Sequence, residues 1–492
     1  MSQLQISGLS FAYPGSPDMV FEGFDLRLDT GWRAGIVARN GRGKTTLLRL
    51  LARRLTPQAG SISPPIPTDF FPCDVPDPTL STLEALENTA PDVESWRLYR
   101  ELADLEVNEA VLARPFHTLS LGEQTRCLLA LLFLREGHFL LIDEPTNHLD
   151  MAGRAAVSRY LRRQQGFLLV SHDRAFLDGC VDHIIALEPS GVETVSGSFS
   201  TWWTERQRRE DFERAQHQKL TRDIARLEAA QKQTARWSDR IEQGKIGSHA
   251  ADRGFIGHKA AKMMKRSKAV ENRRQTAIAE KQELLQNVEK TPSLELRPLL
   301  HPKSRLVELR ELSIDYGGGP LFSPLTFTVE QGQRLALTGP NGTGKSSLLK
   351  LLAGESIPHS GTVSAASNLV LSVVPQDASF LSGLPGDYAA ACGVDLTRFL
   401  SFLRKLDFPR ALFDRDMSTY SAGQKKKVLL ARSLSESAHL YLWDEPLNYV
   451  DVFSRMQLEA LLRDFPAALV LVEHDRAFLD AVAPRRLELT PP

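Results

Sequence analysis

Two stretches of the chain carry the residue types that hold a nucleotide's phosphates. Around Lys44 the sequence reads GIVARNGRGKTTLLRLLA, and around Lys345 it reads LALTGPNGTGKSSLLKLLAG. Each runs from an apolar, strand-like segment through a Gly-rich loop into Leu at helical spacing, the context of a P-loop. Glycine is needed there because backbone N–H groups must crowd the phosphate oxygens, which a Cβ would obstruct. Arg39, Asn40, Gly41, Arg42 and Gly43 make the first cradle; Gly339, Asn341, Gly342, Thr343 and Gly344 make the second. The lysines are expected to meet the β/γ-phosphates, and Thr45 and Ser346 to offer hydroxyls to Mg²⁺, with Thr46 and Ser347 completing each loop. Ala38 stands where the second loop has Gly339, a change at the loop entrance that leaves Gly41 and Gly43 in place.

The chemistry continues at matching distances. A Ser-x-Gly segment follows each lysine by 76 residues (44 to 120, 345 to 421): Ser120 and Gly122 in LSLGEQTR, Ser421 and Gly423 in YSAGQKKK. Gln124 and Gln424 follow them. An apolar strand ending in two acids comes next, FLLIDEPTNHLD with Asp143 and Glu144, and LYLWDEPLNYVD with Asp444 and Glu445. Each aspartate lies 99 residues after its lysine (44 to 143, 345 to 444). Paired acids at a buried strand end suit one carboxylate on Mg²⁺ and another polarising an attacking water. Finally LLVSHDRAFLD supplies His172 and LVLVEHDRAFLD supplies His474. Any one motif has a structural explanation as a turn, a cap or a core residue. Eight in register do not.

The combination resembles the ATP-binding cassette (ABC) family, with both ATPase domains in one α/β polypeptide. The likeness covers roughly residues 1–200 and 305–488 and implies ATP and Mg²⁺ as cofactors. It implies a head-to-tail sandwich in which each nucleotide lies between one copy's P-loop and the other copy's Ser-x-Gly segment. Site one then combines Lys44, Thr45, Asp143, Glu144 and His172 with Ser421, Gly423 and Gln424. Site two combines Lys345, Ser346, Asp444, Glu445 and His474 with Ser120, Gly122 and Gln124. Tyr13 and Tyr316 resemble the family's adenine-stacking aromatic, although strand packing alone also accounts for them. VVPQD supplies Gln376, which matches the family's Mg²⁺- and water-sensing Gln, whereas copy one has FFPCD with Cys73 in that place. A thiol is a poor ligand for Mg²⁺. The two sites are therefore expected to differ, both hydrolysing, site two more typically.

The remaining chain must position these copies and join them. Lys+Arg and Asp+Glu are equal at 60 each, so the whole molecule is no general polyanion binder. The four cysteines show no metal-ligand spacing. The longest apolar runs fall short of the roughly 20 residues of a membrane span, and MSQLQISGLSF lacks the features of a signal peptide. A soluble, cytoplasmic, monomeric protein with no membrane partner is expected. The domains are expected at 1–203 and 304–488, with a linker at 204–292.

That linker is distinct. Residues 205–290 hold 21 Lys/Arg against 13 Asp/Glu, a net of +8, and no Pro. Leu220, Ile224, Leu227 and their successors step by three and four, as do Ala260, Met263, Ser267 and Val270, which predicts two antiparallel helices along a narrow seam. A first helix over 205–243 would be roughly 58 Å long at 1.5 Å per residue. The surplus lies wholly within 232–274, around a Gly-bearing tip at about 243–258. Lys245, His249, Arg253, Lys259, Lys262, Lys265, Arg266 and Lys268 cluster there, with Phe255 and Ile256 between glycines. Such a density of cations suits nucleic-acid phosphates, and an apolar tip suits unstacked bases or a small ligand. A solvated spacer would have no use for Phe255 and Ile256.

Tandem cassettes joined by a charged helical hairpin resemble the ABC-F family of ribosome-binding factors, of which DEPTNHLD followed by VSHDRAFLD is typical. GFIGHKAAKMMKRSK and DEPLNYVDVFSRMQLE are similar to its antibiotic-resistance, ribosomal-protection type, especially the Lsa-like members. That resemblance implies a partner, the bacterial ribosome with its 23S rRNA and P-site tRNA. It also implies entry at the tRNA exit site and displacement of a drug from the peptidyl-transferase centre, with hydrolysis driving release. Two other readings stay open: a housekeeping translation factor acting on ribosome-bound tRNA, and the ATPase subunit of a transporter.

Overall fold

The computed structural model describes residues 3–222 and 298–492, apart from 16–17, 64–66, 92, 136, 189–190, 214, 217, 220 and 464. Strand β1 (Gln3–Phe11) alternates buried and exposed side chains, as a strand covered on one face must. It pairs antiparallel with β2 (Phe21–Asp29) on one side and β4 (Ala59–Ser63) on the other. Strands β3 (Arg33–Val37), β5 (Thr68–Phe71), β6 (Phe139–Asp143), β7 (Phe167–Val170) and β8 (His183–Glu188) are apolar runs covered on both faces. That composition suits a central parallel sheet. The order is β5-β6-β7-β3-β8-β9, with β9 (Gly191–Ser196) antiparallel at the edge.

Helix α1 (Lys44–Leu51) follows β3, and Leu47 and Leu48 bury against Leu4, Ile36, Leu141 and Leu168 between the two sheets. Helices α2 (Thr82–Thr89), α3 (Ser95–Asp104) and α4 (Leu121–Phe133) fill the long connection between β5 and β6. Helices α5 (Met151–Arg163) and α6 (Arg174–Cys180) flank β7.

The second copy repeats the plan. Strands β10 (Arg305–Ile314), β11 (Leu325–Glu330) and β13 (His359–Ala365) form its antiparallel sheet. Its parallel sheet runs β14-β15-β16-β12-β17: Leu371–Val374, Leu440–Asp444, Ala468–Val472, Arg334–Thr338 and Arg485–Glu488. The helices are α7 (Lys345–Leu352), α8 (Pro385–Ala391), α9 (Leu396–Lys405), α10 (Ala422–Ser435), α11 (Val452–Arg463) and α12 (Arg476–Val482). Packing extends past the strands at both ends: Leu299 N–H donates to Ala438 O, and Leu489 N–H to Thr338 O. The tandem α/β duplication expected from the motifs is the fold observed.

The chain divides into two compact units, 1–202 with 294–492, and 203–293. In the second, residues 203–213 are helical. The seam beyond 222, the glycine-bearing connection and the basic tip from Lys245 to Lys268 lie outside the described residues. Among the described residues no helix is long and apolar enough to cross a membrane.

Trp443 shows what holds β15 in place one residue before Asp444. Its ring is wholly buried among Phe399, Phe402 and Leu429, and Nε1 donates to Ser433 Oγ at 2.9 Å. Trp443→Ala is expected to remove about 3–5 kcal/mol of stability. Chemical denaturation followed by tryptophan fluorescence and circular dichroism checks it.

Candidate nucleotide sites

Helices α1 and α7 begin at the lysines because Gly43 and Gly344, with φ of 80° and 77°, turn the chain through the left-handed region. No side chain caps either helix. Their first-turn N–H groups and the positive end of the dipole are thus available to an anion. Lys44 Nζ donates to the carbonyls of Ala38 (3.0 Å) and Arg39 (3.4 Å). Lys345 Nζ does the same with Gly339 (2.9 Å) and Pro340 (2.7 Å). Each ammonium therefore folds over its own loop. Thr343 is buried and donates to Pro340 O, stiffening the second loop, while Gly41, Arg42 and Gly342 stand exposed.

Asp143 and Asp444 end β6 and β15, and the hydroxyls of Thr45 and Ser346 act on them. In both aspartates Oδ1 is buried with no hydrogen-bond partner. A hydroxyl beside an orphaned carboxylate oxygen fits Mg²⁺, which takes six oxygens and draws the rest from phosphates and water. The donor set therefore suits the cation that the sequence implied.

The next residues, Glu144 and Glu445, adopt φ of 49° and 45°. This conformation costs a non-glycine residue about 1–3 kcal/mol and is held only where surroundings impose it. Here Glu144 N–H is fixed on Val170 O (2.9 Å) and Glu445 N–H on Val472 O (3.0 Å). The carboxylates are then treated differently. Glu445 Oε2 accepts from Gln376 Nε2 at 2.9 Å and from Asn448 Nδ2. Both Glu144 oxygens are buried without a hydrogen bond, and burial pushes the acid up to about 8 against the pull of Lys44. Cys73, standing for Gln376, lines a cavity of about 150 Å³ with Arg54, Asp69, Leu131 and Arg135. Its surroundings hold none of the nucleotide-site residues.

His172 Nε2 lies 3.4 Å from Glu144 Oε1, and His474 Nε2 lies 3.8 Å from Glu445 Oε1. Burial lowers both imidazoles. Lys44 and Arg455 lower His172 further, and Arg154 and Lys345 help bring His474 to about 3. Both rings therefore stay neutral near pH 7. Arg455 and Arg154 each belong to the opposite copy from the histidine they act on. They are held by Asp475 (3.2 Å) and Asp173 (2.8 Å) of their own copies.

Each site is completed across the copies. A cavity of about 680 Å³ brings Ser120 and Gly122 together with Asn341, Lys345, Ser346, Ser347, Gln376, Glu445 and His474. Asn341 Nδ2 donates to His148 O (3.2 Å), and reciprocally Asn40 Nδ2 donates to Tyr449 O (2.9 Å). Ser120 and Ser421 cap α4 and α10, paired with Glu123 and Gln424 three residues on. Gln424 therefore corresponds to Glu123. Gln124 instead turns back to the carbonyls of Phe116 (3.3 Å) and Leu119 (3.1 Å), away from the shared cavity. The adjacent Gln in the sequence was misleading because the cap, not the residue type, sets the register. The guanidinium of Arg39 also leaves its cradle and pairs with Asp407 at 3.0 Å. Tyr13 and Tyr316 are partly exposed, their hydroxyls on Thr46 (2.9 Å) and Ser347 (3.1 Å), so each ring borders its P-loop.

Several members of the site were not singled out in the sequence. Asn147, His148, Asn448 and Tyr449 line the cavity. Lys427 is buried against Asp451 (2.8 Å), and Asp451 in turn acts on Lys44 of the other copy. Buried Glu473 accepts from Leu447 N–H (2.8 Å) and His474 N–H (2.7 Å), where copy one has Ser171. The signal was present: Asp150 and Arg154, like Asp451 and Arg455, recur four apart in both copies.

The second Ser-x-Gly segment is crowded from both sides, by its own copy and by Asn40 of the other. A Cβ on Gly423 would lie 2.3 Å from Tyr449 O and 2.9 Å from Asn40 Nδ2, whereas one on Gly122 would lie 3.0 Å from His148 O. Gly423→Ala is expected to lower ATP turnover about tenfold or more, and Gly122→Ala by less. Phosphate release, with thermal unfolding as the control for folding, checks this.

A family model described as ABC transporter matches residues 21–147 and 322–448. ATP-binding protein Uup of Caulobacter vibrioides is 30% identical over 487 residues, 96% of this chain and 74% of that protein. Ribosome protection protein VmlR of Bacillus subtilis is 27% identical, over 97% of this chain and 85% of that protein. Among solved structures, the archaeal ribosome recycling factor aABCE1, in complex with the stalk protein aP1, superposes with a TM-score of 0.64 at 21% identity. That match covers 98% of this chain and 87% of that one. The duplicated fold, the paired P-loops and the reciprocal closure agree with these likenesses: the chain belongs to the ABC family of ATP-hydrolysing cassettes, as a tandem member homologous to ABC-F proteins.

Proposed function

We propose that the protein is an ATP-driven ribosomal protection factor that binds the bacterial 70S ribosome at the tRNA exit site. There it dislodges antibiotics of the lincosamide, pleuromutilin and streptogramin A type from the peptidyl-transferase centre. The observation that carries this reading is the likeness to VmlR along nearly the whole chain. The +8 surplus confined to 232–274 adds to it. The cations there would pair with phosphates of 23S rRNA and P-site tRNA, and Phe255 and Ile256 would probe beyond them. A Lsa-like specificity is part of the same proposal, as is a cytoplasmic, ribosome-associated monomer.

In the ATPase cycle, bound Mg-ATP supplies the phosphoanhydride and the charge that draws the copies together. Lys44 and Lys345 hold phosphate oxygens. Thr45 with Asp143, and Ser346 with Asp444 and Gln376, would provide the oxygens that hold Mg²⁺ when it is bound. Glu445 accepts the proton of an attacking water, and Glu144 does so in its ionised form, which its burial makes the minority near pH 7; His172 and His474 orient them as neutral rings. Ser120 and Ser421 present helix N-termini from the opposite copy, and Tyr13 and Tyr316 stack on adenine. Glu445, held by Gln376 and Asn448, is the better-oriented base, so site two hydrolyses more typically than site one.

A second reading, a housekeeping factor acting on ribosome-bound tRNA, is favoured by the likeness to energy-dependent translational throttle protein EttA of Haemophilus influenzae, 25% identical over 95% of this chain and 89% of that protein. A Glu144→Gln/Glu445→Gln protein with ATP and purified bacterial ribosomes separates the two. Co-sedimentation together with loss of pre-bound lincosamide or pleuromutilin is the expected result. Binding without drug loss supports the housekeeping reading, and absence of ATP-dependent binding rules out both. Singly, Glu445→Gln is expected to lower steady-state hydrolysis more than Glu144→Gln; the reverse order would contradict the site asymmetry. Phe255→Ala is expected to weaken drug protection with ATP turnover intact, and equal loss of both would make it a structural residue.

A further inference from the structure

Arg39 lies in the copy-one P-loop, but its side chain serves the other copy. Nη1 lies 3.0 Å from Asp407 Oδ1, just after α9, with side chains 48% and 18% exposed. Its guanidinium carbon also stands 6.0 Å from the centre of the Phe453 ring in the first turn of α11. Asp407 is prepared for this contact. Its backbone is left-handed (φ 54°), and Oδ2 accepts from Gln457 Nε2 of α11 at 3.1 Å, which leaves Oδ1 to face copy one. Burial raises the Asp407 acid and Arg39 opposes that shift, as an ion pair across an interface requires.

The counterpart at the other site is missing. Pro340 stands where copy one has Arg39, and Ala152 where copy two has Phe453. Glu106 occupies the position of Asp407, with the same left-handed backbone (φ 55°), yet it pairs with Arg159 of its own copy. The same acid position therefore reaches across the interface in one direction and not in the other.

We propose that Arg39 is a positioning residue that latches the copy-one P-loop to copy two through Asp407. The nucleotide site built on Lys44 then closes more firmly than the one built on Lys345. Closure and nucleotide capture are linked, so the latch acts on the affinity for ATP rather than on the bond-breaking step. A half-exposed pair is screened by salt, so its effect fades as ionic strength rises.

Steady-state ATP hydrolysis by the full-length protein tests this with Arg39→Ala, Asp407→Asn, the double variant and the exchanged pair Arg39→Asp/Asp407→Arg. Each single change is expected to raise KM for ATP about fivefold at low salt with kcat within roughly twofold. The double variant should be no worse than either single one, and the exchanged pair should recover part of the loss. Arg159→Ala, which breaks the pair inside copy one, should leave KM unchanged. Asp407→Asn lies outside the P-loop and is nearly isosteric, so it separates the latch from damage to the cradle. An unchanged KM in Asp407→Asn, or single effects that multiply in the double variant, overturns the proposal.

Discussion

Everything in this molecule depends on the fact that neither copy can finish a nucleotide site alone. The P-loop supplies a positive cradle, but the far side must come from the other copy's backbone. The reciprocal bonds from Asn341 to His148 O and from Asn40 to Tyr449 O hold the copies at that separation. Glycine is needed where this contact lands, since a Cβ on Gly423 would lie 2.3 Å from Tyr449 O of its own copy and 2.9 Å from Asn40 Nδ2 of the other. The shared cavity, the buried acids and the cross-copy electrostatics all follow from this one packing constraint.

Burying so much charge is costly unless each group has a partner. The interface meets that demand with reciprocal pairs. Arg154 with Asp173 and Arg455 with Asp475 are buried, and each arginine adds to the burial that keeps the opposite copy's histidine neutral. Arg174 of copy one pairs with Glu459 of copy two, adding one more charge contact across the interface. Among the described residues, the buried atoms left without a hydrogen bond include several of the candidate sites: Oδ1 of Asp143 and Asp444, both oxygens of Glu144 and Nε2 of His474.

Within this near-symmetry the copies have diverged in their supporting residues. Gln376 steadies Glu445, whereas Cys73 turns into a separate small cavity and leaves Glu144 unsupported. Glu473 replaces Ser171 beneath the histidine, and Lys427 with Asp451 makes a buried pair where copy one has Arg126 and Asp150. These changes alter how each acid is held. They make the two sites chemically unequal without disturbing the fold that they share.

The amino-acid sequence by itself determined the duplication, the two P-loops, the paired acids and histidines, and the concentration of cations between the copies. Those features depend on local spacing: a Gly-rich turn between strand and helix, an apolar run ending in Asp-Glu, a step of three and four. Only the tertiary structure decided where long side chains go. Arg39 reads as part of a cradle and reaches across to Asp407. Gln124 reads as the twin of Gln424 and instead bonds its own loop, because helix capping places Glu123 in that register. Arg154, Arg455 and Glu473 read as ordinary helix and strand residues and prove to be buried around the histidines. Their partners lie tens to hundreds of positions away. Spacing along the chain carries no information about such contacts, since they exist only once two separately folded sheets bring their loops together.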